Sequence, residues 1–162
     1  MDGKHIARYA LLTALAMTLA WLESLVPVSS AVPGMKLGLT NLVVVFALER
    51  MSPRDAAAIS LVRVLLVSLT FGNAYSFAYS LAGAALSLAV MLPLKKTGRF
   101  SIIGVSVAGG VCHNVGQILV AMAVLGTSRL VYYLPALLVS GVAAGTAIGI
   151  AGGIVAKRVR LD

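Results

Sequence analysis

The sequence predicts an all-α membrane protein, a bundle of six helices that crosses the bilayer six times with both termini in the cytoplasm. Three observations predict it. The chain is 60% hydrophobic and 11% charged over 162 residues, with a mean hydropathy of +1.00, which sets it apart from soluble domains. The apolar residues fall into six runs, at 6–26, 37–48, 56–71, 76–94, 102–125 and 131–156, against the ~20 apolar residues a helix needs to cross ~30 Å of hydrocarbon. The Lys and Arg residues gather in alternate gaps between those runs, as they do in the cytoplasmic loops of membrane proteins. Together the spans occupy nearly the whole chain, so 1–162 is expected to form one integral membrane domain.

The elements follow in order. Lys4 precedes the first run and Arg8 lies in its first turn. A basic start, an apolar stretch and then Ser29-Ser30-Ala31 imitate a secretory signal, but the run of ~20 residues exceeds a signal core of 7–15, so an uncleaved first helix is expected. Two prolines, two serines and a glycine break the chain at 27–36, since proline fixes φ and removes a donor; this segment falls on the outer side. The second run is short, which predicts a tilted or partly re-entrant helix, or one that borrows residues from the loop around Lys36. Arg50 and Arg54 follow it inside, and Ser52-Pro53 reads as an N-cap and first helical residue for span three. Gly72-Asn73-Ala74 turns outside, and Lys95, Lys96 and Arg99 around Thr97-Gly98 turn inside. Lys157, Arg158 and Arg160 close the chain inside. Trp21, Tyr75, Phe77, Tyr79, Tyr132 and Tyr133 fall near outer ends, where an aromatic belt sits.

Small residues mark contact faces, because helices in lipid associate through close backbone approach. Gly141, Gly145, Gly149 and Gly153 form three successive GxxxG steps on one face of span six. Span one carries Ala10 and Ala14 on one face and Ala16 and Ala20 on another. The glycine ridge is expected to pack within the chain, with a partner subunit as the other option.

The informative polar residues lie inside the spans. A charged side chain in hydrocarbon is costly unless it is paired or faces a cavity. Arg63 sits in the middle of span three, eight residues from Asp55 and from Phe71. His113, Asn114 and Gln117 occur in the string GGVCHNVGQ at 109–117, three and four residues apart and so on one side of span five. Glu23 lies near the outer end of span one, and Lys36 and Asn41 flank the start of span two. These seven residues are the candidate binding set: Arg63, His113, Asn114 and Gln117 as its centre, with Lys36, Asn41 and Glu23 beside them. The competing structural reading is a network whose members satisfy each other, with Glu23 pairing to Lys36 or Arg63. Ser80 and Ser87 are read as bonded to their own helix backbone.

Enzyme chemistry finds few residues to use. The chain has five acidic residues and no paired aspartates to hold Mg²⁺ on a diphosphate. Cys112, the single cysteine, lies mid-span next to His113, without metal-ligand spacing, and no P-loop or GxSxG string occurs. No catalytic residue, metal or cofactor is expected. The net charge of +8 is explained by orientation and anionic lipid rather than nucleic acid.

The basic-flanked first helix with its Ala10-xxx-Ala14 step, the string PGMKLGLTNL at 33–42, the intramembrane Arg63 and GGVCHNVGQ at 109–117 carry a resemblance. Together they resemble the substrate-binding (S) components of energy-coupling factor vitamin transporters, and within these the Gx transporter family, often labelled heptaprenyl diphosphate synthase component I. The resemblance covers essentially the whole chain. It implies a multi-pass protein of the bacterial cytoplasmic membrane that captures a scarce compound from outside. Ala10 and Ala14 would dock on a transmembrane coupling (T) subunit driven by two cytoplasmic ATPases. The ligand would sit in the outer half, under the segment 27–36 and against spans four to six. The resulting expectation is an S component importing a small anionic compound related to isoprenoid or quinone precursors. Rival readings are import of a flavin- or thiamin-type vitamin, a non-catalytic membrane subunit of a prenyl diphosphate synthase, and a structural or channel-like oligomer.

Overall fold

The computed structural model describes residues 3–25 and 38–159. Lys36 and the segment 27–36 lie outside the described residues. Among the described residues six α-helices follow one another: α1 (Gly3–Leu25), α2 (Asn41–Arg50), α3 (Pro53–Phe71), α4 (Ala74–Thr97), α5 (Ile102–Leu125) and α6 (Leu134–Arg158), with a 3₁₀ helix at Ser128–Tyr133 leading into α6. The described residues contain no strand.

Local sequence sets most of these boundaries. Ser52 and Asp55 form a reciprocal capping box at the start of α3, with Pro53 in the first turn, which satisfies two donors that a helix start leaves open. Asn73 and Ser101 cap α4 and α5 through their side chains. Gly98 ends α4 with φ +66°, a conformation glycine adopts without a Cβ penalty.

Four of the helices are long and apolar enough to cross a membrane: α1, α4, α5, and α6 with its preceding 3₁₀ helix. α3 has sufficient length at 19 residues but carries Arg54, Asp55 and Arg63. α2 has ten residues, hence about 15 Å at 1.5 Å per residue, half the hydrocarbon depth. The shortness expected of the second element is therefore present.

α5 is the centre of the bundle, packed most heavily on α4 and α6. The glycine ridge of α6 lies against α5. A Cβ added at Gly145 would stand 2.7 Å from Cα of Val107, and one at Gly149 would stand 2.7 Å from Cα of Ile103. The ridge is an intrachain face. On the opposite side of α5, a Cβ at Gly116 would stand 2.7 Å from the Ala82 carbonyl oxygen of α4. α2 and α3 complete the ring between α6 and α4, and α1 rests outside on α2 and α3.

One end of the bundle gathers charged contacts. Arg50 donates to the Ala156 carbonyl, Lys95 pairs with Glu49, and the Tyr9 hydroxyl and His5 meet Asp55. These join the start of α1, the α2–α3 turn, the end of α4 and the end of α6, so the segments rich in Lys and Arg share one end. Large apolar side chains such as Leu11, Leu69, Val139 and Ile150 face outward, as lipid-facing positions do.

Candidate functional site

A cavity of about 30 Å³ lies inside the ring, lined by residues of α2 to α6 and by Gly38 just before α2. At ~10–15 Å³ per water site, it has room for roughly two waters. Its polar wall consists of Asn41, Ser60, Arg63, Ser87, Ser106, His113 and Asn114. Each reaches the cavity for a local reason. On α3, Ser60 and Arg63 are one turn apart within the buried stripe. On α5, Ser106, Gly109, Gly110 and His113 follow one helical face. From α4, Ser87 and Met91 close one side, with Ser87 Oγ 3.3 Å from Met91 Sδ.

Arg63 dominates the site. It is 6% exposed, and Nη1 donates to the hydroxyl of Thr40, the residue just before α2. Its Nε–H is buried with no hydrogen-bond partner among the described residues. Glu23, from the far end of α1, lies close enough to act on Arg63 electrostatically. Its Oε1 also accepts from the Gly38 backbone N–H at 2.7 Å. Glu23 therefore offsets part of the cost of the buried cation and tethers the residues that enter α2. Gly38 adopts φ +73° there, which a side-chain-bearing residue rarely does.

The candidates named from sequence divide into groups. Arg63, His113, Asn114 and Asn41 line the cavity together. Glu23 stands behind it, linked through Gly38. Asn114 also binds α5 to α6, donating from Nδ2 to the Leu137 carbonyl at 2.8 Å and to Ser140 Oγ at 3.3 Å. Gln117 is buried one turn beyond His113 but lies off the cavity wall. It packs on α4, where a Cβ at Gly83 would come within 3.0 Å of Gln117 Cγ, and its Oε1 lacks a hydrogen-bond partner. Lys36 lies outside the described residues. Ala10 and Ala14 are exposed, whereas Ala16 and Ala20 are buried.

Sequence reasoning missed Thr40, Ser60 and Ser106, which are 8%, 2% and 4% exposed. The signal for two of them was available. Ser60 precedes Arg63 by one turn, and Ser106 precedes His113 by two, on the faces those residues already defined. Thr40 carried no such signal, since it precedes a short helix with no clear periodicity.

Among the described residues no three His, Cys, Asp or Glu side chains converge where a metal could be held. What the arrangement offers is hydrogen bonding to a compact polar group, with a guanidinium donor, two amides and several hydroxyls around one small void.

Helical spans, an apolar exterior and a polar void crossed by a buried arginine define a polytopic membrane protein with an internal polar site. Residues 12–155 match the family described as heptaprenyl diphosphate synthase component I, and the chain belongs to that family. No curated protein and no solved structure matches it.

Proposed function

We propose that this protein is a substrate-binding component of an energy-coupling factor importer in the bacterial cytoplasmic membrane, with both termini inside. In this reading it captures a small anionic compound of the isoprenoid- or quinone-precursor kind from outside and performs no catalysis. Arg63 carries the reading. A buried donor without a partner is uncommon in a folded protein, and here it belongs to a cation inside the membrane, on the wall of a void. Ligand pockets commonly measure ~300–1,000 Å³, so a cavity of about 30 Å³ admits only a head group in this conformation. The body of a longer ligand needs the helices to part. Delivery falls to a transmembrane coupling subunit and two cytoplasmic ATPases, docked on the exposed Ala10 and Ala14 face of α1.

The test is native mass spectrometry of the protein purified from its own membrane. A bound anionic small molecule should accompany the wild type. Arg63→Ala should lose it by about 10- to 100-fold in affinity, the cost of removing a hydrogen bond to a charged group. A neutral cargo, or retention by Arg63→Ala, would sink the anionic reading.

The family description favours a second reading, a membrane subunit associated with a prenyl diphosphate synthase. It differs in one observable: the protein would co-purify with a synthase chain rather than with an ATPase-driven module.

A further inference from the structure

Thr40 stands at the N-cap position of α2, where a threonine hydroxyl commonly accepts from a backbone N–H of the first turn. Here it makes no such bond, and its backbone is already helical at φ −63° and ψ −24°. The hydroxyl oxygen instead accepts from Nη1 of Arg63. Gly38 and Asn41, two residues before Thr40 and one after it, line the cavity with Arg63. So a helix start forgoes its cap to hold one corner of a guanidinium.

That choice of corner has a chemical consequence. A guanidinium presents two forks of parallel N–H groups, one formed by Nη1 with Nη2 and one by Nε with Nη2, and each fork matches the two oxygens of a carboxylate or phosphate. A hydroxyl on Nη1 leaves the second fork, Nε with Nη2, untouched. Nε, on that second fork, is the buried donor without a partner. Glu23 does not fill it, since its Oε1 is engaged by Gly38 N–H and no Glu23–Arg63 ion pair forms within 4.0 Å among the described residues.

We infer that Thr40 is a positioning residue for the ligand site, turning the Nε edge of Arg63 into the cavity to receive a two-oxygen anionic group, a carboxylate or a phosphate. This deepens the anionic reading proposed above and rests on it. The amide of Asn41 and the hydroxyls of Ser60 and Ser106 then face the rest of the group. The void is small enough that one such head fills it.

The test uses the full chain in zwitterionic phosphatidylcholine nanodiscs, so that no lipid of net negative charge competes. Acetate, inorganic phosphate and neutral acetamide are each titrated at constant ionic strength while the thermal midpoint is followed, since a ligand that binds the folded state raises it. Acetate or phosphate should raise the midpoint saturably and acetamide should not. A response to one anion alone identifies the head group as carboxylate or phosphate. Thr40→Val, which keeps the shape and removes the hydroxyl, should require about tenfold more anion for half-saturation. Thr40→Ser should stay within about twofold of the wild type. Arg63→Lys keeps the charge but loses the fork, and should weaken binding at least as much as Thr40→Val. If Thr40→Val lowers the starting midpoint yet half-saturates at the wild-type concentration, Thr40 is only structural and the inference falls while the anionic reading stands. The same holds if Arg63→Lys binds as well as the wild type. A wild type that responds to neither anion overturns both.

Discussion

Helices α4, α5 and α6 meet main chain to main chain, whereas α1, α2 and α3 meet through side chains. In the first group, Gly110, Gly116, Gly145 and Gly149 bring backbones so close that an added methyl group would overlap them. In the second group, Leu12, Ala16, Val43, Phe46, Ala47, Ala56 and Ile59 supply most of an apolar cluster that Met91, Val105, Ile148 and Ala156 of the first group complete, and Arg63, Thr40, Glu23 and Gly38 supply polar ties. The cavity lies on the seam between them. Lipid tails are as apolar as leucine, so helices in a bilayer gain little from burying side chains and rely on packing and hydrogen bonds. The glycine-packed group is therefore the frame, and the polar ties around Arg63 lie in the side-chain-packed group.

The strongest way to break that comparison is to overfill the frame. Gly145→Leu places a side chain where Cα of Val107 stands 2.7 Å from the Cβ position, and backbone on a neighbouring helix has little room to yield. It should cost about 3 kcal/mol or more, seen as loss of a monodisperse folded species in size-exclusion chromatography. Ile59→Val in the other group should cost only about 0.5–1.5 kcal/mol. Equal tolerance of the two would remove the distinction.

A smaller effect separates two neighbours on α5. Asn114→Ala removes the amide that bonds Leu137 and Ser140 of α6, and should lower stability by about 1 kcal/mol. Gln117→Ala removes an oxygen that has no partner and should cost less in a thermal melt. The reverse order would move the α5–α6 tie away from Asn114 and make Gln117 the structural residue.

The smallest effect on the isolated protein is expected at Ala14. It is exposed on α1, so Ala14→Trp should leave the melting temperature and anion affinity unchanged while blocking transport or co-purification with an ATPase-driven partner. Normal transport by Ala14→Trp would leave the exposed face as a lipid contact.

Much of the architecture was legible because helix punctuation is local. Ser52-Pro53, Asn73 and Thr97-Gly98 mark boundaries by what their own backbones and side chains do, and the structure uses them. The glycine ridge was legible as a face, but its mate was not, since a four-residue step says which side is flat and not what lies on it. The two alanine steps of α1 show the same limit: Ala16 and Ala20 turned inward, Ala10 and Ala14 outward. Crossing number was less legible than helix number, because α2 is half a membrane long and α3 carries three charged residues. In the site, a charge in an apolar run announced Arg63, and His113 and Asn114 stood out in their string. Thr40 stayed hidden because its role depends on a contact 23 residues away.

The order of the chain gives the Arg63 contacts a consequence during synthesis. Glu23 and Thr40 both precede Arg63 in sequence, and chains emerge from the ribosome N-terminus first. When α3 is made, the carboxylate that offsets its cation and the hydroxyl that accepts from it already exist. Pairing of the arginine thus need not wait for α4, α5 or α6, and the frame assembles afterwards around a charge that has its companions.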